Sequence, residues 1–312
     1  MHLCQNRAKT IAKYIEKRGK PLEFAEALER IDKTNVLHIA YICEALQLVI
    51  MEILSNQRSH LESAVHASRY FLKSHGSLLE LLLKSAQLNH RKIALKLLTA
   101  IVCVEPQLGR QVLSSYDILS NVKTINQFLS HSSHEGQQQQ QQQKQTDLDY
   151  ESVRKCFIHF VLAYLVDGNT LLIRNILDRG SLIRALAAGL VYDDSVTVCV
   201  VLSALKKYVL ENMEISKTKK IHVFDLDCCK SFVQLYDWRG PRVFNAQRSS
   251  KKGVAKNLNF VEMQELINEQ EREAVSKAVH EFLMVLLTSR KSGIAFDTIK
   301  HFGQKHNTIQ GM

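Results

Sequence analysis

The sequence predicts an all-α protein, built as an armadillo- or HEAT-like helical-repeat solenoid. Its 312 residues include only three prolines and twelve glycines, so long helices are barely interrupted. Apolar residues recur at helical spacing along most of the chain, and one hairpin-sized segment occurs twice. With 46% hydrophobic residues, the chain is able to bury a sizeable core.

The repeated segment covers residues 76–102 and again residues 180–206, which align without a gap. Each copy predicts a helix, a short polar turn and a second helix, and stacked hairpins of this kind build solenoids. The identical aligned pairs are Gly76/Gly180, Ser77/Ser181, Leu78/Leu182, Leu82/Leu186, Leu98/Leu202 and Ala100/Ala204. The repeat therefore favours a helical-repeat architecture over an unrelated set of helices.

The other helices follow in order along the chain. The first is predicted over residues 36–54, after an N-cap at Thr34 or Asn35. Further helices are expected at about residues 59–74, 77–87, 90–104, 106–115 and 117–130. Asp117 and the Asp193–Asp194 pair precede apolar periodic runs, as N-caps do.

Two segments break the helical pattern. Residues 131–148 contain a glutamine tract, which cannot bury apolar surface and is predicted to be a disordered loop, either an expanded surface loop or an interaction tract. Residues 238–256 form a basic loop without an acidic residue. The predicted organisation is a helical-repeat segment over residues 1–130, the glutamine-rich loop, and a segment over residues 149–312 that continues the same solenoid. That segment includes a long helix at about residues 261–290.

Positive charge concentrates in the second half of the chain. The formal net charge is +10, and residues 206–256 carry 12 basic and 5 acidic groups. Within them lie residues 212–225, N-M-E-I-S-K-T-K-K-I-H-V-F-D, which we call the basic hook. Because basic side chains neutralise phosphates and aromatic faces stack on unpaired bases, this region predicts a nucleic-acid contact, with a solvated helical face as the alternative. The candidate RNA-contacting residues are Lys206, Lys207, Lys217, Lys219, Lys220, Arg239, Arg242, Arg248, Lys251, Lys252, Lys256 and Trp238.

No catalytic constellation is found in the sequence. The patterns G-x-x-x-x-G-K-[ST], G-x-G-x-x-G and G-x-S-x-G are absent, and the paired acids are better interpreted as helix caps. His222 precedes Cys228–Cys229 without a fourth ligand, so no metal site is predicted. We therefore expect no enzymatic activity, no cofactor and no small-molecule substrate.

The cysteine usage and the length of the apolar runs predict the cellular compartment of the protein. Seven cysteines occur without a C-x-x-C pair, and Cys43, Cys103, Cys156 and Cys199 lie in apolar helical stretches, where we expect core thiols. This usage predicts a reducing intracellular compartment. The first residues lack the apolar segment of a secretory signal. Apolar runs such as residues 196–205 are too short to span a bilayer, so no membrane partner is expected.

Several segments resemble a known family in the same order. They are A-L-K-L-L-T-A-I-V-C-V-E-P-Q-L-G-R-Q-V-L-S-S-Y-D (94–117), V-R-K-C-F-I-H-F-V-L-A-Y-L (153–165), L-K-K-Y-V-L-E-N-M-E-I-S-K-T-K-K-I (205–221), L-Y-D-W (235–238) and H-E-F-L-M-V-L-L-T-S-R-K-S-G-I-A-F (280–296). From about residue 36 onward, the chain resembles the N-terminal region of the nucleolar pre-ribosomal-associated protein 1 family.

The resemblance implies a non-catalytic, helical-repeat scaffold of the nucleolus that acts in early large-subunit (pre-60S) assembly and rRNA maturation. It also implies contact with large-subunit pre-rRNA, a second helical-repeat assembly factor, a DEAD-box helicase and small pre-60S factors. The family continues for many hundreds of residues beyond N-T-I-Q-G-M, so the chain is expected to be a fragment or a short form. Residues 221–224 are then interpreted as a connection between repeats, with the preceding lysines as RNA candidates. The alternative function is a protein-binding helical-repeat adaptor unrelated to ribosomes.

Overall fold

The computed structural model describes residues 34–56, 60–131, 140–165, 168–240 and 258–288, together with Leu22, Glu26 and Leu28–Arg30. These residues form α-helices and short 3₁₀ or π turns, and none of the described residues is in a β-strand. The predicted all-α fold class is therefore confirmed, and its packed hairpins are consistent with a helical-repeat solenoid. Whether the repeats are of the armadillo or the HEAT type stays a prediction.

The chain divides into two compact units, residues Met1–Tyr164 and Leu165–Met312. The helices described in the first unit are α1 (Val36–Asn56), α2 (Leu61–Lys84), α3 (Leu88–Val104), α4 (Gly109–Ser115), α5 (Ile118–His131) and α6 (Gln140–Ala163). Those described in the second unit are α7 (Thr170–Asp178), α8 (Gly180–Gly189), α9 (Ser195–Leu205), α10 (Lys217–Val223), α11 (Leu226–Gln234) and α12 (Leu258–Thr288).

Helix α3 is the centre of the first unit. It packs against α1, α2 and α6, and its side chains at Ala94, Leu97, Leu98, Ala100 and Ile101 are fully buried among them. Burial of apolar surface on three sides supplies most of the stabilisation of this helix. Only a narrow stripe of α3 is left facing solvent.

The second unit has two packed groups of helices. Helix α8 contacts α7, α10 and α11, while α9 and α12 pack along each other. Phe224, Phe232 and Phe282 join the groups, with ring centroids 4.6 Å apart for Phe232 and Phe282 and 6.0 Å apart for Phe224 and Phe282. Contacts of this length are typical of aromatic pairs in protein cores.

Each copy of the predicted repeat contains two helices joined by a turn, and in the first copy the two helices pack against each other. The first consists of the end of α2 and α3, the second of α8 and α9. In each unit two shorter helices follow, and a long helix then packs against the second helix of the hairpin, α6 on α3 and α12 on α9. The likeness between the units therefore extends beyond the residues that align.

The glycine that opens each copy has a packing role. A Cβ on Gly76 would lie 2.8 Å from the hydroxyl oxygen of Tyr116, and a Cβ on Gly180 would lie 3.0 Å from Cγ2 of Val223. Because atoms this close must shift, a side chain at either position would displace the side chain of Tyr116 or Val223. The shared glycine thus marks the place where each hairpin meets the chain that follows it.

The predicted caps are confirmed, and one helix boundary is wrong. The side-chain oxygens of Asn35, Asp117 and Asp194 accept hydrogen bonds from backbone amides three residues later, at 3.2, 3.0 and 2.8 Å. However, α2 runs without a break through Gly76, where two helices were expected. A single glycine costs a helix only about 1 kcal/mol, and the packing of α2 outweighs it.

Part of the predicted glutamine-rich loop is helical. Helix α5 ends at His131 and α6 begins at Gln140, so residues 140–148 are helical, and residues 132–139 lie outside the described part of the chain. Glutamine has a good helix propensity, and the apolar stretch that follows is able to nucleate the helix. The predicted end of the last helix, at about residue 290, also lies outside the described residues.

Helix α1 corrects the expectation that every apolar run is too short to span a bilayer. Among the described residues, Val36–Ser55 is the one span long and apolar enough to cross a membrane, with a mean hydropathy of 1.7 and 44% of the span buried. The core helix of a folded protein passes the same test. Helix α1 packs against α2 and α3 with Cys43, Leu46 and Ile50 fully buried, as a core helix does.

Candidate nucleic-acid interface

The lysines of the basic hook lie on a short helix. The side-chain oxygen of Ser216 accepts from the amide of Lys219 at 3.4 Å and caps α10. The helix ends in Val223 and Phe224, which are both fully buried. The hook therefore begins as an exposed cap and ends as part of the core of the second unit.

Lys220 is committed to the fold. Its ammonium group donates to the carbonyl oxygens of Leu210 at 2.8 Å and Asn212 at 2.7 Å. Partial burial, with a smaller contribution from the charge of Lys217, lowers the pKa of Lys220. Both carbonyl groups belong to the segment that follows α9, and the charged ammonium group stabilises them. Lys220 is therefore a structural link between α10 and the C-terminal end of α9.

Two other candidate lysines form ion pairs. Lys206 contacts Glu281 of α12 at 3.0 Å, and Lys219 contacts Asp178 of α7 at 2.7 Å. The hydrogen bond and charge of Lys206 lower the pKa of Glu281. Partly exposed ion pairs of this kind add little to stability. However, the paired acid cancels much of the positive charge that each lysine would offer to RNA.

Three of the predicted contacts remain exposed and basic. Lys207 lies on the π-helical turn after α9, with its ammonium nitrogen 5.0 Å from the ring centroid of Tyr208. Lys217 opens α10, and Arg239 follows the 3₁₀ turn after α11. Among the described candidates, Lys207, Lys217 and Arg239 are the residues that the structure leaves accessible to a phosphate.

Trp238 does not fit its predicted role. Its side chain is only 3% exposed, and the indole nitrogen donates to the carbonyl oxygen of Asp193 at 3.0 Å. An enclosed indole has no face on which a base can stack, so Trp238 does not enter the proposed RNA surface. The remaining candidates, Arg242, Arg248, Lys251, Lys252 and Lys256, lie outside the described residues.

Two lysines of the first unit were missed by the sequence analysis. Lys92 and Lys96 lie on the solvent-facing stripe of α3. They are more than 100 residues from the basic region of residues 206–256. Their spacing of four residues was the available signal, since it places both charges on one face of the helix.

Two observations in the described residues bear on catalysis. No group of three or more His, Cys, Asp or Glu side chains in this part of the chain is placed to hold a metal ion. Burial raises the pKa of Cys43 to about 12 and raises that of Cys156, whereas a nucleophilic cysteine needs a lowered pKa.

Cys103 was predicted to be a core thiol, but the structure shows that it is exposed.

Replacing Lys220 with methionine is expected to destabilise the second unit by about 1–3 kcal/mol, because two hydrogen bonds to a charged donor are lost. Lys217→Met is the matched control, since Lys217 is exposed on the same helix, and it should change stability by at most about 0.5 kcal/mol. Urea unfolding followed by circular dichroism measures both. Equal stabilities for the two variants would show that Lys220 is not a structural link.

Fold and surface together define a class: an all-α protein of packed helices whose described residues include exposed basic side chains. The family model described as "Ribosome 60S biogenesis N-terminal" (Npa1) matches residues 22–310, and the chain belongs to this family. The resemblance noted in the sequence is thereby confirmed, and the description of the family names 60S ribosome biogenesis.

Two curated relatives carry the name "Nucleolar pre-ribosomal-associated protein 1". The mouse protein (Mus musculus) is 25% identical over 278 residues, which is 88% of this chain and 11% of the relative. The human protein (Homo sapiens) is 26% identical over 206 residues, which is 66% of this chain and 8% of the relative. The chain therefore spans about a tenth of the length of these relatives. No solved structure matches it.

Proposed function

We propose that this chain is a non-catalytic scaffold of the nucleolus that acts in early large-subunit assembly and rRNA maturation. The family match over residues 22–310 carries the proposal. The names of the two relatives, nucleolar and pre-ribosomal, support the compartment and the stage. The all-α hairpin fold supports a scaffold, since stacked hairpins present long surfaces for partners.

Contact with pre-rRNA is the second part of the proposal. Lys207, Lys217 and Arg239 are exposed, and exposed basic side chains supply the salt-dependent attraction on which RNA binding rests. The protein partners implied by the family resemblance are a second helical-repeat assembly factor, a DEAD-box helicase and small pre-60S factors. The family match favours this role over a protein-binding adaptor unrelated to ribosomes.

The test is UV crosslinking of the tagged chain in cells, followed by sequencing of the attached RNA. The expected result is enrichment of large-subunit rRNA precursor over a tag-only control, with the chain in the nucleolus and in pre-60S fractions of a sucrose gradient. A chain confined to the cytoplasm, with no precursor enriched, would refute the proposal. A Lys207→Glu/Lys217→Glu variant that keeps the gradient position but loses crosslinks would separate RNA contact from assembly.

A further inference from the structure

The solvent-facing stripe of α3 is basic. Because α1, α2 and α6 cover much of this helix, the residues beyond its first turn that reach the surface lie on one stripe, at positions 92, 96, 99 and 103. Two of them are Lys92 and Lys96, one helical turn apart, or about 6 Å along the axis. That separation is close to the distance between successive phosphates on an RNA strand.

Neither of these lysines is neutralised. Among the described residues, Lys92 and Lys96 form no ion pair and no side-chain hydrogen bond, in contrast to Lys206 and Lys219. Both charges act on the thiol of Cys156 in α6, where they oppose the larger effect of burial on its pKa. Cys156 lies on α6, which packs against α3, so the lysine stripe of α3 and helix α6 are neighbours.

Helix α6 extends the same surface. Lys155 and His159, on either side of Cys156 in the sequence, are both exposed. Lys155 pairs with Glu151 at 2.9 Å on its own helix, so its charge is partly cancelled, and His159 adds a further nitrogen donor. We call Lys92, Lys96, Lys155 and His159 the α3–α6 basic face.

The internal repeat shows that the fold does not require lysine here. The positions of the second copy aligned with Lys92 and Lys96 are occupied by Val196 and Val200, which are 70% and 49% exposed. The same helical face is thus open to solvent in both units, with unpaired charge in one and apolar surface in the other. Packing therefore accepts either residue type at these two positions.

We propose that the α3–α6 basic face binds the phosphate backbone of RNA. Lysine recognises phosphate as a point charge, and the imidazole of His159 is the one ring of the face, on which a base of any type can stack. Binding is therefore independent of base sequence and falls with salt. This inference rests on the proposed function in its choice of RNA and deepens it by naming a contact surface.

The α3–α6 basic face is tested with the purified full chain and a labelled, mixed-sequence, single-stranded RNA. Lys92→Glu/Lys96→Glu is compared with Lys73→Glu/Lys123→Glu, which makes the same charge change at exposed lysines of α2 and α5 in the same unit. We expect the first variant to lower affinity at least about tenfold. It should also reduce the slope of log K against log salt by about 1.4, because two contacts to a single strand are lost. The control should retain most of the affinity.

Cys103 provides a second readout on the same face. Its thiol is exposed at the end of the α3 stripe, so bound RNA should slow its alkylation by a maleimide, as measured by mass spectrometry. Protection should disappear in Lys92→Glu/Lys96→Glu. A Lys92→Gln/Lys96→Gln variant, with an unchanged thermal unfolding midpoint, shows that loss of binding does not reflect loss of fold.

Several outcomes would overturn the inference. Equal affinity and equal Cys103 protection in the test and control variants would place RNA elsewhere. Binding of an acidic peptide, but not RNA, by the wild-type chain and its loss in the variant would assign the face to a protein partner. If the variant binds RNA normally while crosslinking in cells still finds rRNA precursor, this inference alone fails. If the face binds RNA in solution but no precursor is enriched in cells, the proposed function fails instead.

Discussion

Replacing Trp238 with alanine is expected to destabilise the second unit by about 3–5 kcal/mol, the usual cost of emptying a large buried aromatic site. The side chain is 3% exposed, and its indole nitrogen donates to the carbonyl of Asp193. That carbonyl lies in the turn between α8 and α9, whereas Trp238 follows α11. The indole therefore ties the end of α11 to the repeated hairpin, and its removal loosens both.

A conservative variant separates the two parts of this effect. Trp238→Phe keeps most of the apolar volume but leaves the carbonyl of Asp193 without the indole donor, so we expect a smaller loss of about 1–3 kcal/mol. Because Trp238 is the sole tryptophan in the chain, unfolding of the variants is followed by circular dichroism in urea. A Trp238→Ala variant within about 1 kcal/mol of wild type would contradict the buried position.

The wild-type fluorophore also distinguishes an architectural tryptophan from an RNA-stacking one. An indole enclosed in the core should be poorly quenched by acrylamide, and its emission should not change when RNA binds. Strong quenching by saturating RNA would instead support the role that the sequence predicted for Trp238.

The sequence was sufficient for the fold class because that information is local. Helical spacing of apolar residues and caps at Asn35, Asp117 and Asp194 follow from short-range rules, and the structure agrees with them. The prediction of a helix end near Gly76 was wrong because that feature depends on long-range contacts. A helix end there depends on what packs around the glycine, and the contact with Tyr116 joins residues 40 positions apart.

The candidate site was harder to predict because the sequence does not show which basic side chains are neutralised by an acidic partner in the fold. Lys206 and Lys219 lie in a dense basic run, yet their partners, Glu281 and Asp178, are distant in sequence and were not visible from it. Lys92 and Lys96 were passed over because they stand apart from any run. Tertiary contacts decide which charges remain unpaired: they pair Lys206 and Lys219 and, among the described residues, leave Lys92 and Lys96 without an ion pair.

Replacing Phe282 with alanine is expected to cost about 3–5 kcal/mol and to loosen α12 in particular. The ring is fully buried, with its centroid 4.6 Å from that of Phe232 on α11 and 6.0 Å from that of Phe224 at the end of α10. Loss of two aromatic contacts adds to the cavity that the missing ring leaves. Since Phe224 belongs to the basic hook, the same change should reduce order in the hook.

Met284→Ala is the matched control for Phe282, because Met284 lies two residues further along α12 with 47% of its surface exposed. It should change stability by at most about 0.5 kcal/mol. Amide hydrogen exchange provides the local test: Phe282→Ala should speed exchange in α10, α11 and α12, and leave α3 of the first unit unchanged. Uniform acceleration in both units would show that they unfold as one cooperative body. Equal stabilities for the two variants would show that the aromatic cluster does not join α12 to the hook.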